Sequence, residues 1–151
     1  MRKALVVVDA AEGVDRIMRE AAEHAVGVDG SLVLLHVTTD DEFEDNQDAM
    51  TEVTGMEGGT YDVSQASEGA RQFADDLADK VLRNIDVEYE TVGKVGNKFE
   101  NIMQAAQDYD CDHIYMAGRK RSPSGKAIFG DTAQRVILNF DNPVTVLTRD
   151  Q

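Results

Sequence analysis

The fold is decided by the stretch that reads HIYMAGRKRSPSGKAIFGDTAQRVILNFDNPVTVLT, residues 113–148. It opens with an apolar strand at 113–117 and passes into a loop at 118–129 that is rich in glycine and basic residues. The spacing of apolar residues then predicts a helix over about 131–140, followed by a last apolar strand at 144–148. A strand, a crossover helix and a second strand are typical of a parallel β-α-β unit.

The same alternation extends through the earlier part of the chain. Apolar runs indicate three further strands, and apolar residues at helical spacing indicate three further helices. The predicted strands are 3–8, 32–37 and 87–92, and the predicted helices are 14–28, 64–84 and 97–108. The acidic segment 38–62 contains three glycines and is predicted to be a mobile insertion, with a short helix near Asn46–Thr51.

This order of elements predicts one domain over residues 1–151, with a five-stranded parallel sheet sandwiched between helices. In sheets of this kind, ligands bind beyond the carboxyl ends of the strands, where the strand order reverses. We therefore expect a site in the loops after the first, second and fourth strands.

The chain is strongly acidic, with 29 acidic residues against 15 basic ones and a net charge of −14. That charge opposes nucleic acid or an anionic membrane as the main partner, and no apolar stretch has the length of a membrane span. The carboxylates are scattered, which favours a solvated surface adapted to high salt. Met1-Arg2-Lys3 leads directly into the first strand, and Cys111 is the only cysteine, so we expect a cytoplasmic protein.

The segment 118–126 contrasts with the rest of the chain because it holds four basic residues and no acidic one. One interpretation is a phosphate site, in which glycines and the helix start at Gly130–Thr132 present backbone N–H groups to an anion. The other is a surface loop whose basic side chains pair with the protein's own carboxylates. The spacing excludes a P-loop, and no G-x-G-x-x-G motif follows the first strand.

The sequence resembles the universal stress protein family over nearly its whole length. The resemblance is carried by the ends of three strands, by the glycine loop with its helix, and by the last strand. These segments are Val7-Val8-Asp9, Leu35-His36-Val37, Ile114–Gly118, Gly130 with the helix 132–138, and Asn142–Leu147. The resemblance implies an adenine nucleotide alpha hydrolase-like fold with strand order 3-2-1-4-5. It also implies a homodimer that pairs through the last strand, residues 143–148, and the acidity suggests a halophilic archaeon as the source.

Nucleotide-binding members of that family carry G-x2-G-x9-G-[S/T] after the fourth strand. Gly118 and Gly130 match the first and last glycines, whereas Arg121 replaces the second glycine and the interval to Gly130 is eight residues. Asp131 takes the Ser/Thr position, where its carboxylate would repel a phosphate unless a magnesium or manganese ion bridged them. Thr132 could supply the missing hydroxyl.

The resemblance assigns the adenosine part of the ligand to Asp9, which matches the family's aspartate, and to Val37, which matches its adenine-contacting valine. It thus implies a regulatory protein that binds ATP or a related adenine nucleotide. The full predicted set is Val8, Asp9, Ala10, Val37, Ala117, Gly118, Arg119, Arg121, Lys126, Gly130, Asp131, Thr132 and Ala133.

The altered motif leaves an alternative open, a dimeric interaction module whose basic loop binds a protein or another anion. An enzyme such as a phosphotransferase ranks lower because no nucleophile or general base is evident, and any ATP hydrolysis should be slow and incidental. We predict no catalytic residue and no metal site made by the protein alone. His24, His36 and His113 have no metal-ligand spacing and are interpreted as core or rim residues.

Overall fold

The computed structural model describes residues 1–9, 13–54, 62–120 and 130–149. Along these residues strands and helices alternate, apart from two successive helices between the second and third strands. The elements are β1 (Lys3–Val7), α1 (Val14–Gly27), β2 (Ser31–Thr38), α2 (Asp40–Thr54), α3 (Val63–Val81), β3 (Glu88–Val95), α4 (Lys98–Asp108), β4 (His113–Lys120), α5 (Gly130–Asn139) and β5 (Val144–Arg149).

The five strands form one parallel sheet in the order β3-β2-β1-β4-β5, which confirms the predicted fold class. The central strand β1 pairs with β2 on one side, where Val6 faces Leu34, and with β4 on the other, where Leu5 faces Ile114. Strands that are covered on both faces are built from continuous apolar runs, because neither set of side chains reaches water.

Side chains of β1 alternate between two cores, one on each face of the sheet. Val6 and Val8 pack with buried residues of α1 and α3, whereas Leu5 and Val7 pack with those of α4 and α5. The helices therefore cover both faces, and the carboxyl ends of the strands emerge at one edge between the two layers. None of the described helices is both long enough and apolar enough to cross a lipid bilayer.

Helix α3 lies unusually close to β3 because a glycine stands at the contact. A Cβ atom on Gly93 would lie 2.1 Å from the carbonyl oxygen of Ser67 and 2.2 Å from the backbone nitrogen of Arg71. No side chain fits there. On the helix side the buried positions are mainly alanines, spaced four residues apart: Ala66, Ala70, Ala74 and Ala78. Small residues on both elements thus bring the start of α3 down onto the edge of the sheet.

Helix α2 is longer than the short helix predicted near Asn46–Thr51. It begins after Thr39, whose hydroxyl accepts a hydrogen bond from the backbone N–H of Glu42 at 3.3 Å, while the Glu42 carboxylate accepts one from the Thr39 N–H at 3.1 Å. This reciprocal arrangement is a capping box, and acidic residues in the first turn suit the helix dipole. Residues 55–61 of the predicted insertion lie outside the described residues.

The predicted loop 118–129 is wrong at its start, because 118–120 belong to β4. Pairing with β5 runs in register to Ala117 with Leu147, shifts at an irregularity, and resumes at Lys120 with Arg149. Backbone hydrogen bonds with β5 extend β4 through these residues, although their polar side chains predicted a loop. The remaining residues, 121–129, lie outside the described part of the chain.

Candidate functional site

A cavity opens at the carboxyl ends of β1 and β2, between α2, α3 and the start of α4. Its volume is about 670 Å³, comparable with that of a small-molecule site. Its described lining residues are Asp9, His36, Val37, Thr38, Thr39, Glu42, Asn46, Ala66, Gly69, Ala70, Phe73 and Lys98. The cavity lies at the carboxyl edge of the sheet, where the topology predicts a site, and it includes residues that follow β1 and β2. Its described lining contains no residue of β4 or α5, so it stands on the β2 side of β1 and not at the switch point between β1 and β4.

An ion pair stands on one side of this cavity. The Lys98 Nζ donates a hydrogen bond to Asp9 Oδ2, and the two side chains are 28% and 30% exposed. Asp9 follows directly on Val8 at the end of the first strand segment, and Lys98 is the first residue of α4. The pair therefore joins elements that are far apart in the chain at the point where both face the cavity.

The turn before α4 fixes the position of Lys98. Gly96 has a φ of 131°, a conformation that glycine adopts without the steric cost of a Cβ atom. Its backbone N–H donates to the carbonyl oxygen of Thr38 at 2.9 Å, which ties the turn to the end of β2. Asn97 then caps the helix by accepting a hydrogen bond from the N–H of Glu100 at 2.9 Å.

His36 links β2 to the backbone that leads into Asp9. Its Nδ1 lies 2.6 Å from the carbonyl oxygen of Val8, and because a carbonyl only accepts, Nδ1 carries the proton and donates it. In the neutral ring Nε2 is then the acceptor. The imidazole packs against the ring of Phe73 with centroids 4.3 Å apart. His36 was predicted to be a core or rim residue, and it lies half-buried in the cavity wall.

Of the described residues predicted to contact a ligand, Asp9 and Val37 line the cavity together. Val8 is buried beneath it and holds His36 through its carbonyl group. The remaining described residues lie apart from the lining. Ala117, Gly118 and Arg119 belong to β4, and Gly130, Asp131, Thr132 and Ala133 form the first turn of α5. Ala10, Arg121 and Lys126 lie outside the described residues.

Two of these residues have structural features that bear on their predicted roles. Gly118 is buried, and a Cβ atom there would lie 2.8 Å from Val146 Cγ1, so packing against β5 already requires a glycine. Asp131 is exposed in the first turn of α5, where a carboxylate interacts favourably with the helix dipole.

Lys98, Glu42 and Phe73 were not identified from the sequence. A signal for Lys98 was present: residues 92–99 contain two of the chain's six lysines and no acidic residue, although the net charge is −14. Glu42 could have been found from the Thr39–Glu42 capping-box spacing, which predicts a helix start beside the end of β2.

The other reactive side chains of the described residues occupy structural positions. His113 Nε2 contacts the Thr145 hydroxyl at 2.8 Å, and His24 Nδ1 contacts the Tyr115 hydroxyl at 2.5 Å. Cys111 is buried, and burial raises the pKa of its thiol to about 11, which keeps it protonated. Among the described residues, one group of three carboxylates comes together: Asp75, Asp76 and Asp79 on the outer side of α3.

The sheet order and the edge cavity define an α/β protein of the adenine nucleotide alpha hydrolase-like fold. A family model described as "Universal stress protein family" matches residues 1–148. The chain therefore belongs to the universal stress protein family. A comparison with curated proteins gave no match.

Solved structures share this fold over almost the full chain. A universal stress protein from Archaeoglobus fulgidus is 24% identical, with a TM-score of 0.65, and the match covers 97% of this chain and 98% of that one. A second from the same organism, in complex with dAMP, is 18% identical with a TM-score of 0.57 and 97% coverage of both chains. A universal stress protein in complex with cAMP is 12% identical with a TM-score of 0.61, covering 97% of this chain and 96% of that one.

Proposed function

We propose that this protein binds ATP or a related adenine nucleotide and acts as a regulatory, stress-response protein without a catalytic role of its own. The observation that carries the proposal is the cavity that Asp9 and Val37 line together at the carboxyl edge of the sheet. Two members of the same fold are seen in complex with dAMP and cAMP, which supports an adenine nucleotide as the class of ligand.

In this proposal the adenosine occupies the cavity, with Asp9 on the ribose and Val37 on the adenine. The phosphates extend toward the end of β4 and the start of α5, where Gly130–Thr132 provide backbone N–H groups and the positive end of a helix dipole. Arg119, Arg121 and Lys126 add positive charge from the basic segment, which offsets the repulsion from Asp131.

A magnesium or manganese ion would enter with the nucleotide. Magnesium is usually held by one or two carboxylates together with substrate phosphates, and in this proposal the exposed carboxylate of Asp131 would be one such ligand. The ion would neutralise phosphate charge at the position where the family motif has a hydroxyl.

We further propose a homodimer that pairs through β5, residues 143–148, in the cytoplasm of a halophilic organism. β5 is an edge strand of the sheet, and such edges need cover against uncontrolled pairing. The neighbouring helix α5 exposes 40% of Ile137 and 73% of Leu138, apolar surface that a second subunit would bury.

The alternative is a non-nucleotide interaction module, and two observations favour it. Gly118 is explained by its packing against Val146, and Asp131 places a negative charge where a phosphate would approach. In that case the basic loop would bind a protein or another anion.

The test is calorimetric titration of the protein with ATP and Mg²⁺, at low and at high salt. We expect the unaltered protein to bind ATP, and Asp9→Asn to weaken that binding by at least tenfold. Asp79→Asn is the control, because it makes the same substitution at an exposed position on α3 and should leave binding unchanged. In a parallel titration without Mg²⁺, Asp131→Ser should tighten binding by about two- to fivefold, because no ion then offsets the repulsion between the carboxylate and the phosphates. Absence of both heat and thermal shift at millimolar ATP would exclude the nucleotide function.

A further inference from the structure

The placement of Lys98 runs against the local electrostatics of its own helix. It is the first residue of α4, where the positive end of the helix dipole disfavours a cation. The carboxylate of Asp9 compensates for this, and Gly96 and Asn97 hold the turn that delivers the ammonium to it. The helix dipole therefore does not account for a lysine at this position beside the cavity.

Within the described part of the chain, the Asp9–Lys98 pair retains hydrogen-bonding capacity after its own contact is made. An ammonium carries three N–H donors, of which one is used on Asp9 Oδ2, and the second carboxylate oxygen of Asp9 can still accept. Both side chains are about 30% exposed and both line the same cavity. A ligand at this point therefore meets a donor and an acceptor side by side.

The charge of the cavity wall favours a neutral group over an anion at that point. Asp9 and Lys98 cancel each other, and Glu42 adds a further carboxylate to the described lining. A phosphate on the lysine would meet the carboxylate of Asp9, whereas a hydroxyl can donate to Asp9 and accept from Lys98. Two adjacent hydroxyls, as on the 2′ and 3′ carbons of ribose, complement the pair best.

We propose that Lys98 acts with Asp9 as a ribose-selective pair, so that the site takes ribonucleotides in preference to 2′- or 3′-deoxyribonucleotides. This inference rests on the proposed function, in which Asp9 meets the sugar of an adenine nucleotide, and it adds Lys98 as the residue that sets sugar specificity. A ligand that lacks one hydroxyl leaves a charged donor or acceptor without its partner, and such losses are strongly discriminating.

The experiment compares ATP, 2′-deoxy-ATP and 3′-deoxy-ATP by calorimetry on the full chain, on Lys98→Met and on Lys80→Met. Methionine keeps the unbranched side chain, one atom shorter, and removes its charge. Lys80 is an exposed lysine in the last turn of α3, outside the cavity lining. We expect the unaltered protein to bind ATP at least tenfold more tightly than either deoxy analogue. Lys98→Met should reduce that ratio below about threefold, and Lys80→Met should leave it unchanged.

The outcomes separate this inference from the function on which it rests. If the unaltered protein binds none of the three nucleotides, both proposals fall. If it binds ATP and Asp9→Asn weakens that binding, but the ratio is near one or survives in Lys98→Met, the nucleotide function stands and the role of Lys98 is overturned. An equal loss of affinity for all three nucleotides in Lys98→Met would indicate that the lysine contacts the phosphates. That result would also overturn its proposed role in sugar selectivity. Thermal unfolding checks that each variant is folded, and Lys98→Gln replaces the methionine variant if that one is not.

Discussion

His36 donates a hydrogen bond from Nδ1 to the backbone carbonyl of Val8, at 2.6 Å, and so joins the end of β2 to the residue that precedes Asp9. Val8 is completely buried with the imidazole in place, and His36 Nδ1 is the described side-chain donor to its carbonyl oxygen. One side chain thereby holds the two strand ends of the candidate site in a fixed relation, while its ring packs on Phe73 of α3.

Replacing His36 with phenylalanine should destabilise the protein by about 1–3 kcal/mol, because the Val8 carbonyl loses its partner while the ring contact with Phe73 is kept. Urea unfolding measures the change. Phe73→Leu is the matched variant, since it alters the ring contact and leaves the hydrogen bond. A free energy of unfolding within about 0.5 kcal/mol of the unaltered protein in His36→Phe would show that this bond contributes little.

Gly93→Ala should destabilise the fold by about 1–3 kcal/mol or more, because the new methyl group meets backbone atoms of α3 that cannot turn away. Gly69→Ala is the control: it lies within α3, no atom comes within 4 Å of the added methyl, and alanine should stabilise the helix by about 0.5–1 kcal/mol. Opposite signs for the two variants in urea unfolding are the expected result. Equal effects would mean that α3 is not held against β3 through Gly93.

The positions of most elements could be predicted because buried parallel strands and amphipathic helices leave strong periodic patterns. The strand order was predicted from the resemblance to the universal stress protein family. The errors lie where partners far away in the chain decide the outcome. β4 continues to Lys120 because β5 pairs with it, and a polar sequence gives no sign of that pairing. The start of α2 did carry a local signal, the capping box from Thr39 to Glu42, which the acidic composition obscured.

In the candidate site, too, some residues could be predicted from the sequence and others depend on contacts between distant parts of the chain. Asp9 and Val37 were assigned by the resemblance to the family at the ends of the first two strands, and both line the cavity. Lys98 reaches Asp9 from 89 residues away, through a turn whose geometry depends on Gly96 and on its bond to Thr38. Such a contact has no sequence spacing that identifies it, although the acid-free run around Lys98 marks the region as unusual in this chain.

Cys111 should react slowly with iodoacetamide in the folded protein. Burial raises the pKa of its thiol from 9.0 to about 11, so at pH 8 the reactive thiolate is roughly 100-fold rarer than in the unfolded chain, before access is considered. Mass spectrometry of the alkylated protein, with and without urea, measures both rates. Similar rates in the two conditions would contradict the buried position.

The stability of the fold should depend on pH through His113. Burial, and next the neighbouring His24, lower the pKa of His113 below 6.5, against an opposing effect of Asp112 and a smaller lowering from the N-terminal amino group. The unfolded chain then binds a proton at a higher pH than the folded one does. The contribution of His113 to the free energy of unfolding should therefore be level above about pH 7, fall as the pH drops through 6.5, and level off again below the folded-state pKa.

In the unaltered protein the Thr145 hydroxyl contacts His113 Nε2 at 2.8 Å. His113→Asn tests the assignment, because it removes the titrating group and keeps a polar side chain beside Thr145. Urea unfolding at pH 8, 7, 6 and 5 gives the free energy of unfolding for both proteins, and the difference between them isolates the contribution of this histidine. As the pH falls below 6.5, the unaltered protein should lose free energy of unfolding relative to His113→Asn. A difference that is constant from pH 8 to 5 would mean that His113 has the same pKa in the folded and unfolded chain, in conflict with its buried position beside the ring of His24 in α1.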